Sequence, residues 1–180
     1  MDSSGGFYEF SKDSSTLNIP NRLGVYGWRD STFVAKIWLD SGGFGVRTAS
    51  SSNRCRLGIS IDSNRFYWAR ESQTVTFPRH QWISVVVSIS GITASFYING
   101  VMITSSSNWY TCNDPSSFYP LGALWNGASL HTQFRGRIRE VRIYSRALNF
   151  QEVQELVKLS DNRLILPGKG KSLCFIQKCS

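Results

Sequence analysis

The sequence lacks the features of several common protein classes. Its 180 residues include only two histidines and five prolines, and 18% of the chain is charged. No apolar run approaches the ~20 residues of a membrane-spanning helix, so no such helix is predicted within this sequence. No charged-then-apolar leader follows Met1. We therefore expect either a non-secreted full-length protein or a domain excised from a longer chain.

Catalytic residue patterns are also missing. Glycoside hydrolysis needs two carboxyl groups beside one bond, and side chains two residues apart on a strand share a face. No predicted strand carries such a pair, and Glu152 and Glu155 fall on a predicted helix. His80 and His131 lie at strand ends or in loops, outside any recognisable Ser/His or Cys/His arrangement. The sequence thus predicts a protein that is not an enzyme.

Cysteine is scarce, with four residues in the chain. Cys55, Cys112, Cys174 and Cys179 fit no CxxC-type zinc spacing. Disulfides are expected in an oxidising compartment and free thiols in a reducing one. The sequence does not decide between disulfides and free thiols, and it leaves open which cysteines would pair.

Strand-forming residues are abundant, since 13% of the chain is aromatic. About twelve short strands and one helix predict an all-β, two-sheet antiparallel jelly-roll sandwich. The clearest strands, 33–39 and 81–90, alternate apolar and polar residues. Their tryptophans, Trp38 and Trp82, are predicted to lie in the core. Asn99-Gly100 predicts a hairpin turn with two positive φ angles.

The segment from residue 134 to 159 is the most informative part of the chain. Its strand is apolar at Ile138, Val141 and Ile143. Val141 and Ile143 are two residues apart, as in a regular strand, but Ile138 and Val141 are three apart. This break in the alternation predicts a β-bulge near Arg139 or Glu140.

A short amphipathic helix follows this strand at about 150–159. Asn149 occupies the N-cap position and Glu152 follows at the spacing of a capping box. Apolar residues then recur at steps of three and four, which predicts one buried stripe. The stripe comprises Phe150, Val153, Leu156 and Val157.

Three segments resemble laminin-G-like domains of the concanavalin A-like lectin superfamily, which also holds pentraxins. They are FRGRIREVRIYSRAL with its helix, HQWISVVVSISGITASFYING, and GGFYEFSKDSSTLNIP followed by FVAKIWL. Together they span residues 5–159. The resemblance implies a sandwich of two antiparallel sheets that binds glycans or proteins. Many laminin-type domains have Cys where Arg137 stands, and many bacterial relatives have Asp where Arg139 stands.

Positive charge is concentrated on one strand and in the tail. The net charge is +8, and Arg135, Arg137, Arg139 and Arg142 lie on the strand of the 134–159 segment. This basic patch is interpreted either as solvated surface charge or as a contact for acidic glycans, phosphate-rich partners or anionic surfaces. We expect a domain over 1–160 and a basic C-terminal extension over 161–180 that adds an edge strand.

One long loop combines the side chains that sugar recognition needs. Trp109 and Tyr110 offer aromatic faces, and Asn113 and Asp114 offer polar groups for hydroxyls. The next loop carries further candidates, Trp125 and Asn126, although aromatic residues at both loops also serve to cap a core. The resemblance implies Ca²⁺ as a candidate cofactor, with Asp114 and Asn113 as ligands.

The sequence therefore predicts a non-catalytic, lectin-like carbohydrate-binding domain. The alternative is a protein-interaction, adhesion or structural coat module that uses its Arg-rich surface, and a glucanase-like hydrolase is less favoured. Expected partners are a glycan or glycoprotein, including an acidic or sulfated glycan, or a protein. Nucleic acid is not expected, because no recognised nucleic-acid motif appears. The resemblance favours an extracellular, cell-surface or virion-surface location.

Overall fold

Strands dominate the chain, as the alternating pattern predicted. The computed structural model describes residues 7–10, 17–20, 30–47, 56–60, 65–68, 71–107, 118–121, 123–125, 130–162 and 172–174. The strands are β1 (Tyr8–Phe10), β2 (Leu17–Pro20), β3 (Ser31–Ser41), β4 (Gly43–Arg47), β5 (Arg56–Ser60), β6 (Arg65–Trp68), β7 (Glu71–Thr74), β8 (Trp82–Ser90), β9 (Thr93–Ile98), β10 (Val101–Ser106), β11 (Phe118–Leu121), β12 (Ala123–Trp125), β13 (Leu130–Gln133), β14 (Arg135–Tyr144) and β15 (Ser172–Cys174). The helix is α1 (Phe150–Asn162).

The strands form two large sheets and a hairpin. The first sheet has the order β1-β14-β3-β8-β9-β10, and β15 also pairs with β14. The second has the order β2-β11-β4-β5-β6-β7, and β12 and β13 form the hairpin. Every pairing between described strands is antiparallel. The predicted all-β class is confirmed. No helix in the described ranges is both long and apolar enough to cross a bilayer.

The inner face of the first sheet carries the predicted apolar alternation. Ala35 pairs with Val85 and Ile37 pairs with Ile83, and all four side chains are at most 2% exposed. Burying each of the three larger side chains, Ile37, Ile83 and Val85, contributes roughly 1.5–3 kcal/mol. The central strands β3 and β8 therefore anchor the core.

The outer face of the same sheet is covered by α1 over part of its length. Val34 and Val86 form a buried cluster with Val153, Leu156 and Val157 of the helix. The predicted stripe is thus buried at three positions. Phe150 is the exception, because it lies 48% exposed in the first turn and stacks on Tyr97 with ring centroids 6.3 Å apart.

The predicted β-bulge is confirmed on β14. Ile138 pairs with Ile37 and Glu140 pairs with Lys36, so Arg139 is the extra residue. Two residues oppose one at such a bulge, and the side-chain alternation restarts after it. Both Ile138 and Val141 are consequently fully buried.

The capping box at the start of α1 is confirmed. The Glu152 backbone N–H donates to Asn149 Oδ1 at 3.0 Å, and the Asn149 N–H donates to Glu152 Oε2 at 2.8 Å. Arg146 Nη1 also pairs with the Glu152 carboxylate at 2.8 Å. The backbone hydrogen bond to Asn149, together with Arg146, lowers the pKa of Glu152 despite an opposing effect of burial. The helix therefore begins where the sequence predicted.

The predicted hairpin turn is confirmed as well. Asn99 and Gly100 have φ angles of 50° and 78°, as a type I′ turn requires. The Asn99 side chain also accepts a 2.8 Å hydrogen bond from the Ser84 N–H, which ties the turn to β8.

Candidate functional site

Two tryptophans predicted to be core residues lie instead on the outer face of the first sheet. Trp38 and Trp82 pair directly across β3 and β8, and both are half-buried. Their neighbours Ile37 and Ile83 point to the core, so alternation turns the tryptophans outward. The core prediction for these two residues is therefore wrong. Neither belongs to the cluster that α1 covers.

These tryptophans belong to a larger group, which we call the aromatic–arginine cluster. Its members are Phe7, Trp38, Trp82, Arg137 and Arg139. The Trp38 and Trp82 rings meet edge to face with centroids 6.0 Å apart, and the Phe7 ring lies 6.2 Å from Trp82. Such pairs are worth about 0.5–1.5 kcal/mol beyond their buried area. The three rings thus form one contiguous group on this face of the sheet.

The two arginines of the cluster lie over these rings. Arg137 Cζ is 5.2 Å from the Phe7 centroid and 5.6 Å from the Trp38 centroid. Arg139 Cζ is 4.5 Å from the Trp82 centroid. These distances fall within the range of cation–π attraction. Positive charge and aromatic surface therefore occupy one area of the sheet.

A polar edge adjoins the cluster. Asp40 Oδ1 accepts a 2.9 Å hydrogen bond from Trp38 Nε1 and lies 3.2 Å from His80 Nδ1. His80 has a φ of 55°, which is rare for a residue with a side chain. Its N–H donates to the Leu39 carbonyl at 2.9 Å, and this bond holds the turn in place. The His80 and Asp40 side chains are 71% and 44% exposed, so both reach solvent.

The predicted basic patch divides into residues with different surroundings. Arg142 forms an ion pair with Glu140, and both side chains are largely buried at 11% and 15% exposure. Ser160 Oγ also donates to Glu140 at 3.1 Å. Arg135 is exposed at the start of β14. Only Arg137 and Arg139 of the four lie over aromatic rings in the described part of the chain.

The charge of the two cluster arginines is balanced differently. Arg137 Nε lies 3.7 Å from Glu9 Oε1, with both side chains partly exposed. No carboxylate lies within ion-pair distance of Arg139 among the described residues, and its Nε is enclosed without a hydrogen-bond acceptor there. Arg139 is therefore a cation whose counter-ion is not supplied by the described parts of the protein.

The predicted sugar-binding loops lie mostly outside the described residues. Trp109, Tyr110, Asn113, Asp114 and Asn126 fall there. The backbone of Trp125 belongs to β12, which pairs with β13. Glycan contact at these loops and calcium at Asn113 and Asp114 stay predictions. Among the residues that are described, no group of three or more His, Cys, Asp or Glu side chains could hold a metal ion.

The sequence contains a signal for the cluster in the alternation of its strands. Trp38 alternates with Ile37 and Leu39 and so falls opposite the core face, and Trp82 stands one residue before Ile83. Large aromatic residues on the polar face of a strand require a cover or a function. The strong patterning of the two strands favoured a core position, whereas the alternation within that pattern places both tryptophans opposite the core.

Comparison with known structures gives the architecture independent support. A SAP-like pentraxin from Limulus polyphemus matches with a TM-score of 0.63 at 14% identity, covering 95% of this chain and 91% of the pentraxin. Domain 4 of AbnA, an extracellular arabinanase from Geobacillus stearothermophilus solved with arabinotriose, matches with a TM-score of 0.59 at 17% identity, covering 85% and 87%. At such identities the similarity establishes the fold alone.

A third structural neighbour is much longer than this chain. Trypanosoma rangeli sialidase matches with a TM-score of 0.57 at 22% identity over 74% of this chain, which corresponds to 23% of the sialidase. No curated protein sequence matches significantly. A family model described as the concanavalin A-like lectin/glucanases superfamily matches residues 11–154. With its laminin-G-like jelly-roll sandwich, the chain belongs to the concanavalin A-like lectin/glucanases superfamily.

Proposed function

We propose that this protein is a non-catalytic carbohydrate-binding domain and that the aromatic–arginine cluster is its contact surface. One observation carries the proposal: the paired Trp38 and Trp82 rings stand half-buried on a sheet face, beside the area that α1 covers. A sugar ring presents C–H groups that pack against aromatic faces. Ligand sites combine such apolar surface with a few placed polar groups.

The polar groups around the rings suit sugar hydroxyls. Asp40 offers carboxylate oxygens on one side, and His80 adds a ring nitrogen beside it. Arg137 offers guanidinium donors next to Phe7 and Trp38. Because Asp40 is already held by the Trp38 indole, its orientation is fixed before a ligand arrives, which reduces the entropic cost of binding.

The same contacts argue for binding rather than catalysis. A glycosidase holds one carboxyl group as acid and another as base or nucleophile across the bond. Asp40 is occupied by two donors, and Glu9 lies beside Arg137. The arabinanase domain solved with arabinotriose supports glycans in general as the ligand class.

Polysaccharide binding by the purified chain tests the proposal. Affinity electrophoresis and a glycan array should detect at least one glycan, and Trp82→Ala should weaken binding at least tenfold. Phe150→Ala is the matched control, because Phe150 is a half-exposed aromatic on the same side of the sheet outside the cluster. It should leave affinity within twofold. Circular dichroism checks that both variants fold.

Three results would overturn the proposal. The first is an absence of binding to any glycan, and the second is a folded Trp82→Ala variant with wild-type affinity. If Trp109→Ala removes binding where Trp82→Ala does not, the contact surface is the predicted loop instead. The third overturning result is the release of sugar from a bound glycan, because it would make the protein an enzyme.

A further inference from the structure

We infer that the bound glycan is acidic, and that Arg139 is the residue that recognises its carboxylate or sulfate group. The inference rests on the proposed function and names the ligand class of the same cluster. It follows from where the β-bulge places Arg139, from what the guanidinium touches, and from its missing counter-ion.

Arg139 is the extra residue of the bulge and lies on the face of the sheet that carries the rings. In a regular strand, the residue after buried Ile138 would point outward and the next would point to the core. Here Arg139 is inserted between Ile138 and Glu140, and its guanidinium lies over Trp82, two strands away on the outer face. Bulges occur often beside functional sites because they redirect a side chain. The extra residue thus extends the cluster.

The contact with Trp82 leaves the guanidinium suited to one kind of partner. Arg139 Cζ lies 4.5 Å from the Trp82 centroid, and a cation–π contact of this kind does not require the N–H groups to bond to the ring. A planar fork of N–H donors matches carboxylate and sulfate oxygens in a bidentate arrangement. Trp82 therefore attracts the Arg139 cation while its N–H donors stay available to an oxyanion.

Charge pairing distinguishes Arg139 from its neighbours on the strand. Arg137 lies near Glu9 and Arg142 pairs with Glu140. For Arg139, the described residues supply no carboxylate within ion-pair distance, whereas the Nε atoms of Arg137 and Arg139 alike are buried without a hydrogen-bond acceptor there. An incoming oxyanion supplies the missing counter-ion through the terminal Nη groups of Arg139, which, unlike Nε, are not enclosed.

Matched acidic and neutral polysaccharides test this inference. The probes are homogalacturonan against its fully methyl-esterified form, and dextran sulfate against dextran, at 50 and 200 mM NaCl. We expect one acidic member to bind at least tenfold more tightly than its neutral partner. The difference should shrink at the higher salt concentration, because salt screens charge.

Variants of β14 assign this preference to one residue. Arg139→Gln should remove the acidic preference, bringing affinity down to that for the neutral form. Arg139→Lys should lose most of it, since an ammonium keeps the charge without the fork. Arg135→Gln removes the same charge from an exposed site on the same strand and should change affinity less than twofold. If Arg135→Gln reduces the acidic preference as much as Arg139→Gln does, a specific role for Arg139 is overturned.

The failures of the two proposals are distinguishable. If neutral glycans bind through Trp82 with no acidic preference, the further inference falls and the proposed function stands. If no polysaccharide binds, both fall. Polyphosphate and single-stranded DNA serve as non-sugar polyanions, and tighter binding of either than of every acidic glycan would overturn the assignment to an acidic sugar.

Discussion

At the residue scale, Gly136 is required for the close approach of two strands. Its φ is 151°, and a Cβ there would overlap the backbone carbonyl oxygen of Trp38 and lie 2.9 Å from Phe134 Cζ. Because the overlapping atom is backbone of the central strand, it cannot rotate away. Gly136 thus lets β14 bring Arg137 beside Trp38.

We predict that Gly136→Ala destabilises the protein by roughly 3 kcal/mol or more, as severe backbone conflicts do. Urea denaturation followed by tryptophan fluorescence measures the change. The control is Gly91→Ala, where φ is 57° and no atom lies within 4 Å of the added Cβ. It should cost only the left-handed backbone penalty of about 1–2 kcal/mol. Equal losses in the two variants would contradict the steric explanation.

Glu152 makes the start of α1 sensitive to acid. Its folded-state pKa is lowered by the Asn149 backbone hydrogen bond and by Arg146. A lowered pKa stabilises the fold above the unfolded-state pKa, and this contribution is lost as pH falls through the folded-state value. Glu152→Gln keeps a capping oxygen but removes the charge.

We predict that Glu152→Gln costs about 0.5–1 kcal/mol at pH 7, the usual size for a charged group in a helix's first turn. The difference from wild type should shrink as pH falls below the ordinary glutamate pKa of about 4.3, and it should disappear only below the lowered folded-state pKa of Glu152. Thermal melts between pH 3 and 7 measure it. The control is Glu155→Gln on the exposed face of the same helix, which should leave stability at pH 7 within about 0.5 kcal/mol of wild type.

At the element scale, the bulge on β14 keeps the apolar residues on either side of it, Ile138 and Val141, on the inner face of the sheet. Deleting Arg139 would leave Ile138 opposite Ile37 and Glu140 opposite Lys36, which is a regular ladder. Deleting Arg142 instead would move Ile143 into a position opposite Val34, on the outer face. A one-residue shift exchanges the faces of every later side chain in a strand.

We therefore predict opposite outcomes for two deletions that remove the same residue type. The Arg139 deletion should fold, with stability within about 2 kcal/mol of wild type, while losing the preference for acidic glycans. The Arg142 deletion should be several kcal/mol less stable or unfolded, because Ile143 leaves the core. Circular dichroism and urea denaturation compare them. An unfolded Arg139 deletion alongside a stable Arg142 deletion would contradict the register explanation.

Local patterns predicted the elements better than the site. The bulge, the capping box and the Asn99-Gly100 turn each depend on neighbouring residues, so the sequence contained them in full. The surroundings of Trp38 and Trp82 depend on how much of the sheet α1 covers, which is a tertiary property. Alternation gave the face of each tryptophan but not whether anything covered it.

At the scale of the whole molecule, one part of the outer face of the first sheet packs against α1, and another part carries the aromatic–arginine cluster. Val34 and Val86 lie under α1, while Trp38 and Trp82 lie four residues further along the same strands. Four residues of strand span about 13 Å. One face therefore holds the helix at one end and the aromatic–arginine cluster at the other.

This division predicts that changes at the two ends act independently. Leu156→Ala should cost about 2–5 kcal/mol, as expected for a buried Leu in a well-packed interface, and should leave glycan affinity per folded molecule unchanged. Trp82→Ala should weaken binding. Because the two sites share no described contact and are separated by more than ~10 Å, their stability changes should add to within about 0.5 kcal/mol.

Urea denaturation of the wild type, both single variants and the double variant measures this additivity, with affinity determined on the same preparations under native conditions. Leu156→Ala combined with Phe150→Ala is the matched comparison, since both residues lie on α1 and their coupling should exceed that of the distant pair. Coupling above about 1 kcal/mol between Leu156 and Trp82 would mean that the helix also supports the cluster. Packing of α1 on this face would then contribute to glycan binding as well as to stability.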